Sequence, residues 1–324
     1  MGRYKIFNIS KTVDLLVEFG FNGENLTSQN AVIPIVYYFM KGGSDDIDSK
    51  DNIIRKYLIH ALLKQIYGGQ GDRVLTNIRD ALREKDQDSE DEYHLRQNRF
   101  SFEDLIENVK LPPTKSLEIT DEDIKEILEC KKGPYTFMVL SLLYPNLRFG
   151  QVKFHQDHIH PASLFTDAKL RKHEIPQDKW KKWQEMKDML PNLQLMEGSE
   201  NESKNKTPFK QWLDNTYQNN DSKNKFMENN DIPNDVSLEL KDFEMFYEKR
   251  KEILRDKLKK GITMKMGTAN NKRVYGSGFQ PSPKSPSVTS DIHWLLTEIT
   301  QEKIKNLCII HIINKGVNLI RGWK

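Results

Sequence analysis

The 324 residues predict a mainly helical protein with a small strand–strand–helix unit set into it. Three observations lead there. Apolar residues recur at helical spacing through the chain before Pro145. The pattern then changes to alternation in GQVKFHQDHIHP, which reads as a strand running into a turn. A second short strand, PNLQLMEG, leads directly into the polar helix start SENESK.

Taken in order, AVIPIVYYFMKGG (31–43) is an apolar run closed by two glycines, a buried helix with its C-cap. DNIIRKYLIHALLKQIYGG (51–69) places Ile54, Leu58, Leu62 and Ile66 on one face and ends on another glycine pair. DRVLTNIRDALREK is a third helix, followed by an acidic polar loop through DQDSEDEY. FEDLIENV and DEDIKEILECKKG add two more, and YTFMVLSLLYP is a buried helix stopped by Pro145. No strand is expected before residue 150. Gly68-Gly69-Gln70-Gly71 lacks the lysine–serine ending and preceding strand of a phosphate loop, so it reads as a helix connection.

Beyond the first strand, DKWKKWQEMKDML (178–190) is a basic helix, and SENESKNKTPFKQWL is expected as one helix. The asparagine-rich segment 214–235 reads as a loop. VSLELKDFEMFYEKRKEILRDKLKKG is a long amphipathic helix with Leu240, Phe243, Phe246, Tyr247 and Ile253 available for burial. After Gly261 the pattern decays into the proline- and serine-rich FQPSPKSPSVTSD and a tail.

Composition sets limits on function. A net charge of +3 makes no global demand for a nucleic-acid partner, so basic residues matter locally if at all. The only cysteines, Cys130 and Cys308, exclude a disulfide framework and a four-cysteine zinc site. With no apolar signal core at the start and no apolar run long enough for a bilayer, a cytoplasmic protein without a membrane partner is expected.

The densest chemistry is KFHQDHIHPASLF (153–165). Asp157 offers the carboxylate oxygen that a magnesium-type ion prefers, and His158 is a candidate general base because imidazole titrates near neutral pH. Ser199 followed by Glu202 has the spacing of a capping box, which puts Asn201 at the second helical position and Lys204 one turn on. The Asn201 amide oxygen can then reach a hard cation, and the Lys204 ammonium a phosphate.

These residues resemble the HNH, or ββα-metal, nuclease motif. Asp157-His158-Ile159, Asn192 in PNLQLM, and Asn201 and Lys204 in NESK match it, with spacings of nine and three between the last pairs. More narrowly, residues 30–259 resemble the C-terminal half of GmrSD-type proteins, the modification-dependent (type IV) restriction endonucleases of bacteria, in which LLYPN, DHIHP and NLQLLEGSEN-SK stretches recur. The resemblance implies a helical scaffold (1–148), an embedded ββα-metal nuclease unit (149–215), a polar loop and long helix packing back on the core (216–260), and a linker with a variable tail (261–324). It implies cleavage of DNA, with modified phage DNA as the target in bacterial defence. It implies His158 as general base, Asp157 and Asn201 as ligands of Mg²⁺ or Mn²⁺, Asn192 as a brace, and Lys204 on phosphate. Zinc is not expected. The Asp-Gly-Gln-Gln-Arg motif of the family's nucleotide-binding half is not in this sequence, so a separate NTP-binding subunit is an expected partner.

His160 is a support residue that shares the His158 face if the strand continues, within reach of a phosphate or a metal-bound water; a structural hydrogen bond suits it equally. His155 falls on the other face, as a structural residue. Lys169, Arg171, Lys172, Lys181 and Lys182 form the densest basic stretch near the site, available to steer a DNA backbone. Trp180 and Trp183 fit packing better than base stacking. Two other readings compete. One is a non-catalytic subunit that recruits the NTP-binding partner. The other is a dizinc hydrolase, suggested by the histidine-rich run, although its residue order is wrong for that signature.

Overall fold

The computed structural model describes residues 11–44, 53–87, 92–145, 147, 149 and 152–263. Of the linker and tail expected over 261–324, residues 261–263 continue the last helix and the rest lie outside the described residues. The described chain is mainly helical, with two small antiparallel sheets of two strands each.

The scaffold begins with α1 (11–18), a 3-10 turn at Gln29–Val32 and α2 (Ile33–Met40). Residues Ile33 to Phe39 of α2 are all buried, as an all-apolar helix requires. Gly42, at φ +84°, supplies the left-handed residue that ends it. Next come α3 (Arg55–Leu63) and α4 (Gly71–Leu82), joined by a plain turn in which Gly69 takes φ +77°. Helix α4 buries Val74, Leu75, Ile78, Ala81 and Leu82, a stripe of helical period. Then follow α5 (Phe102–Asn108), α6 (Asp121–Leu128), which starts in a Thr120–Asp123 capping box, and α7 (Pro134–Leu143).

A sheet forms where none is expected. β1 (Arg83–Lys85) pairs with β2 (Tyr93–Leu95), replacing the end of the third predicted helix and part of the acidic loop. At three residues per strand there is too little sequence to show alternation. Cross-strand contacts decide instead: the Arg83 guanidinium lies 3.8 Å from the Tyr93 ring centre, and His94 Nε2 is 3.0 Å from Glu84 Oε1.

In the second half, β3 (Phe154–His158) is followed by a 3-10 turn (Ala162–Phe165), α8 (Asp167–Lys172), α9 (Gln177–Met186) and β4 (Leu193–Glu197). The helix expected over 199–213 is two: α10 (Gly198–Lys204) and α11 (Phe209–Thr216). The break comes at Asn205, which takes φ +44°, and at Pro208, the N-cap of α11. The segment 214–235 is also not all loop. Helix α12 (Asn220–Asn229) starts where the Asn219 side chain accepts the Ser222 N–H at 2.7 Å, and Phe226 packs on Trp212 at 5.4 Å. Its polar composition hides a cap and an aromatic anchor.

Two hydrophobic clusters result. One is built on α1–α7 and takes in Phe154, Leu190, Leu193 and Leu195; the other gathers Ile159, Phe165, Trp183, Phe209 and Trp212. Helix α13 (Phe243–Thr263) serves both, with Phe243, Phe246 and Tyr247 in the second and Leu254, Leu258 and Ile262 in the first. Ile253, expected in the core, is 36% exposed, because the buried stripe passes through fully buried Arg250 to Leu254 and leaves Ile253 to one side. Arg250 Nη1 donates to the carbonyls of Pro191 and Leu193, each at 2.8 Å, and so pins the start of β4. Among the described residues no helix is long and apolar enough to cross a membrane.

Candidate functional site

β3 and β4 pair antiparallel with Phe154 opposite Glu197 and His158 opposite Leu193, and α10 follows β4 directly and packs on both strands. The N-cap of α10 is Glu197, so Ser199 is inside the first turn and makes no capping bond. The predicted capping box is therefore absent, and Asn201 is at the fourth helical position rather than the second. The strand's continuity sets the start here: Glu197 is still paired with Phe154 when the helix begins.

Asp157 is buried, and its Oδ2 accepts from Gln194 Nε2 at 3.0 Å and from Lys204 Nζ at 2.8 Å. Lys204 Nζ also donates to the His158 carbonyl at 2.6 Å. The Lys204 side chain is 0% exposed, and burial pulls its pKa below the ordinary lysine value against the raising effect of Asp157. A phosphate contact by Lys204, expected from the motif, does not fit this geometry. The ammonium is an internal counter-ion that ties α10 to the end of β3.

His158 turns its ring to Asp188, with Nε2 2.9 Å from Asp188 Oδ1. Burial would raise the Asp188 pKa, but hydrogen bonds from Lys187 and His158 hold it below the usual carboxylate value. The ionised carboxylate makes Nε2 the protonated nitrogen and leaves the lone pair on Nδ1. Burial keeps the His158 pKa below 6.5, opposed by the Asp188 bond and helped by the nearby charge of Lys132. Asp188 had no signal in the sequence, because no spacing rule joins it to His158.

Asn192 is fully buried and grips the next residues on both sides: Oδ1 accepts the His160 N–H at 2.9 Å, and Nδ2 donates to the carbonyls of His160 at 3.1 Å and Lys187 at 2.8 Å. His160 itself is 1% exposed against Phe209, Phe243 and Phe246. The strand ends at His158, so His160 turns into the second cluster and meets neither phosphate nor a metal-bound water. Burial first, then the charge of Lys204, drives its pKa from 6.5 down to about 3. The folded chain thus refuses a proton that the unfolded chain accepts below pH 6.5. Stability from this residue is complete above that pH and declines as pH falls toward about 3. For His160→Leu, urea unfolding between pH 6 and 4 is expected to show a pH slope shallower by up to ~1.4 kcal/mol per pH unit. An unchanged slope would mean that His160 titrates normally.

Asp157 and Asn201 line one open cavity of about 540 Å³, together with His155, Gln156, Lys132, Gly133 and Glu24. The His158 ring is not part of that lining. Alternation puts His155 and Asp157 on one face of β3 and His158 on the other, although Phe154 and Gln156 of the His158 face also border the cavity. The same rule could have marked His155 as a cavity residue. The donors fit a hard divalent cation. Asp157 Oδ1 has no hydrogen-bond partner among the described residues, Asn201 borders the same space, and Mg²⁺ needs only one or two protein ligands if it keeps several waters. Among the described residues no three His, Cys, Asp or Glu side chains form a metal cluster.

The basic stretch lies away from this cavity. Lys182 and Lys179 both pair with Glu244, at 2.5 and 2.9 Å, and Arg171 lies over the Trp180 ring at 5.6 Å. Lys169, Lys172 and Lys181 are exposed on α8 and α9, and none of these residues lines the cavity. Trp183 is buried, and Trp180 Nε1 donates to the Ile175 carbonyl at 2.9 Å, so both tryptophans pack.

No family model and no curated protein matches the chain.

Proposed function

We propose that this chain hydrolyses phosphodiester bonds of DNA by metal-assisted chemistry of the HNH kind, as the motif resemblance implies, in bacterial restriction of modified phage DNA in the cytoplasm. One observation supports it above the others. Asp157 on β3 and Asn201 on α10, far apart in sequence, border the same cavity, and His158, the next residue along the strand, has its ring oriented by the Asp188 carboxylate outside that lining.

In this mechanism Nδ1 of His158 takes a proton from a water as the water oxygen bonds to phosphorus. The bond from phosphorus to the 3′ oxygen breaks, leaving a 5′ phosphate and a 3′ hydroxyl once that oxygen is protonated. A Mg²⁺ or Mn²⁺ ion held by Asp157 and Asn201 would supply charge stabilisation at the leaving oxygen. Asp188 fixes the tautomer and ring orientation of His158. Gln194 and Lys204 hold the Asp157 carboxylate in place.

A second reading rests on the same carboxylate. Because the buried Lys204 ammonium already neutralises Asp157, the site suits a non-catalytic subunit that recruits a separate NTP-binding partner. The dizinc reading has less support, since His155, His158 and His160 face the cavity, Asp188 and the aromatic cluster respectively.

Incubation of the purified protein with supercoiled plasmid, plain or carrying glucosylated hydroxymethylcytosine, separates the first two. Nicking in Mg²⁺ or Mn²⁺ that stops with EDTA and is lost in Asp157→Asn is the expected result. No cleavage of either DNA, with or without NTP, would favour the silent subunit.

A further inference from the structure

We infer that Lys132 is the side chain that contacts the substrate phosphate at this site, in the role that the motif alone assigns to Lys204. The inference deepens the phosphodiester reading above and rests on it. Lys204 is fully buried and commits its ammonium to Asp157 and the His158 carbonyl. Lys132 is exposed, lines the same cavity as Asp157 and Asn201, and has no ion-pair partner among the described residues. It is the one lysine or arginine among the described lining residues, which also include the acidic Glu24 and Asp157. An anionic backbone entering this space therefore needs Lys132 as its counter-charge.

The loop bearing Lys132 is held on both flanks of the hairpin. Gln156 on β3 grips Gly133, accepting its N–H at 3.0 Å and donating to its carbonyl at 2.7 Å. The Lys132 N–H donates to the Asp188 carbonyl at 2.8 Å, and the Leu190 N–H donates to the Cys130 carbonyl at 2.9 Å. The residue that orients His158 is thus also an anchor of the Lys132 backbone. These bonds fix the backbone of the Lys132 loop beside the cavity.

The test separates binding from cleavage. In the full chain carrying His158→Ala, with EDTA present, anisotropy of a labelled DNA duplex is followed across salt concentrations. Adding Lys132→Ala is expected to weaken binding several-fold and to reduce the slope of log K against log[salt] by about 1, with Lys132→Arg restoring both. With His158 intact, Lys132→Ala is expected to raise KM for plasmid more than it lowers kcat. The exposed side chain leaves the core packing untouched, and an unchanged circular dichroism spectrum checks this. Unchanged affinity and salt slope in Lys132→Ala would overturn the proposal. If the wild-type chain cuts no DNA while Lys132-dependent binding persists, the phosphate contact stands and the hydrolytic reading falls.

Discussion

Replacing His158 by alanine is expected to lower the rate of plasmid nicking by a factor of ~10²–10⁴ while leaving the fold intact. The ring is partly exposed and its one side-chain hydrogen bond among the described residues is to Asp188, so truncation removes a proton acceptor without opening the core. Asp188→Asn tests the same pair from the other side. The amide cannot hold Nε2–H as a charged acceptor, so the tautomer is lost and the rate is expected to fall by a smaller factor. The base is competent above its folded pKa and is lost as pH falls through it. Because burial keeps that pKa below 6.5, cleavage is expected to persist at pH 6.5 and to decline on further acidification. Initial rates of supercoiled-to-nicked conversion across pH, with circular dichroism of each variant, decide it. Undiminished cleavage by His158→Ala would end the proposed mechanism.

Lys204→Met is expected to destabilise the protein by ~3–5 kcal/mol. The Lys204 side chain is 0% exposed and that of Asp157 11%, so the pair is shielded from solvent. Removing the ammonium strands a buried carboxylate and leaves the His158 carbonyl without its donor. The double variant Asp157→Asn with Lys204→Met removes both charges together and is expected to recover part of the loss, which urea unfolding of all four proteins measures as a coupling energy. A surface lysine on phosphate, as the motif implies, would cost almost nothing to replace. A wild-type urea midpoint for Lys204→Met would therefore contradict the burial described here.

Much of the scaffold was legible because the signal is local. The all-apolar Ile33–Phe39 run and the Val74–Ile78–Leu82 stripe each state a helix and its buried face within a few turns. The hairpin was legible too, since the alternation in Phe154–His158 and the apolar LQLM of β4 are short-range patterns. Asn192 and Asn201 were singled out by the resemblance to the HNH motif, and Asn201 lies in the lining of the Asp157 cavity although the capping box expected to place it is absent. Helix α12 was missed because its apolar anchors Phe226 and Met227 are few among asparagines, and the packing of Phe226 on Trp212 supplies what composition withholds.

The sequence by itself determined the helical scaffold, the two strands of the site and the presence of a carboxylate, an imidazole and an amide for it. Tertiary structure alone decided which charges are working groups and which are internal struts. Lys204 and Lys132 are both lysines beside polar neighbours in the sequence. Only the packing of α10 on β3 buries the first on Asp157, while the bonds from Gln156 and Asp188 hold the second at the open cavity. The physical reason is that a charge's role follows from its solvent exposure and its partner. Both are set by chain segments distant in sequence, which no local pattern encodes.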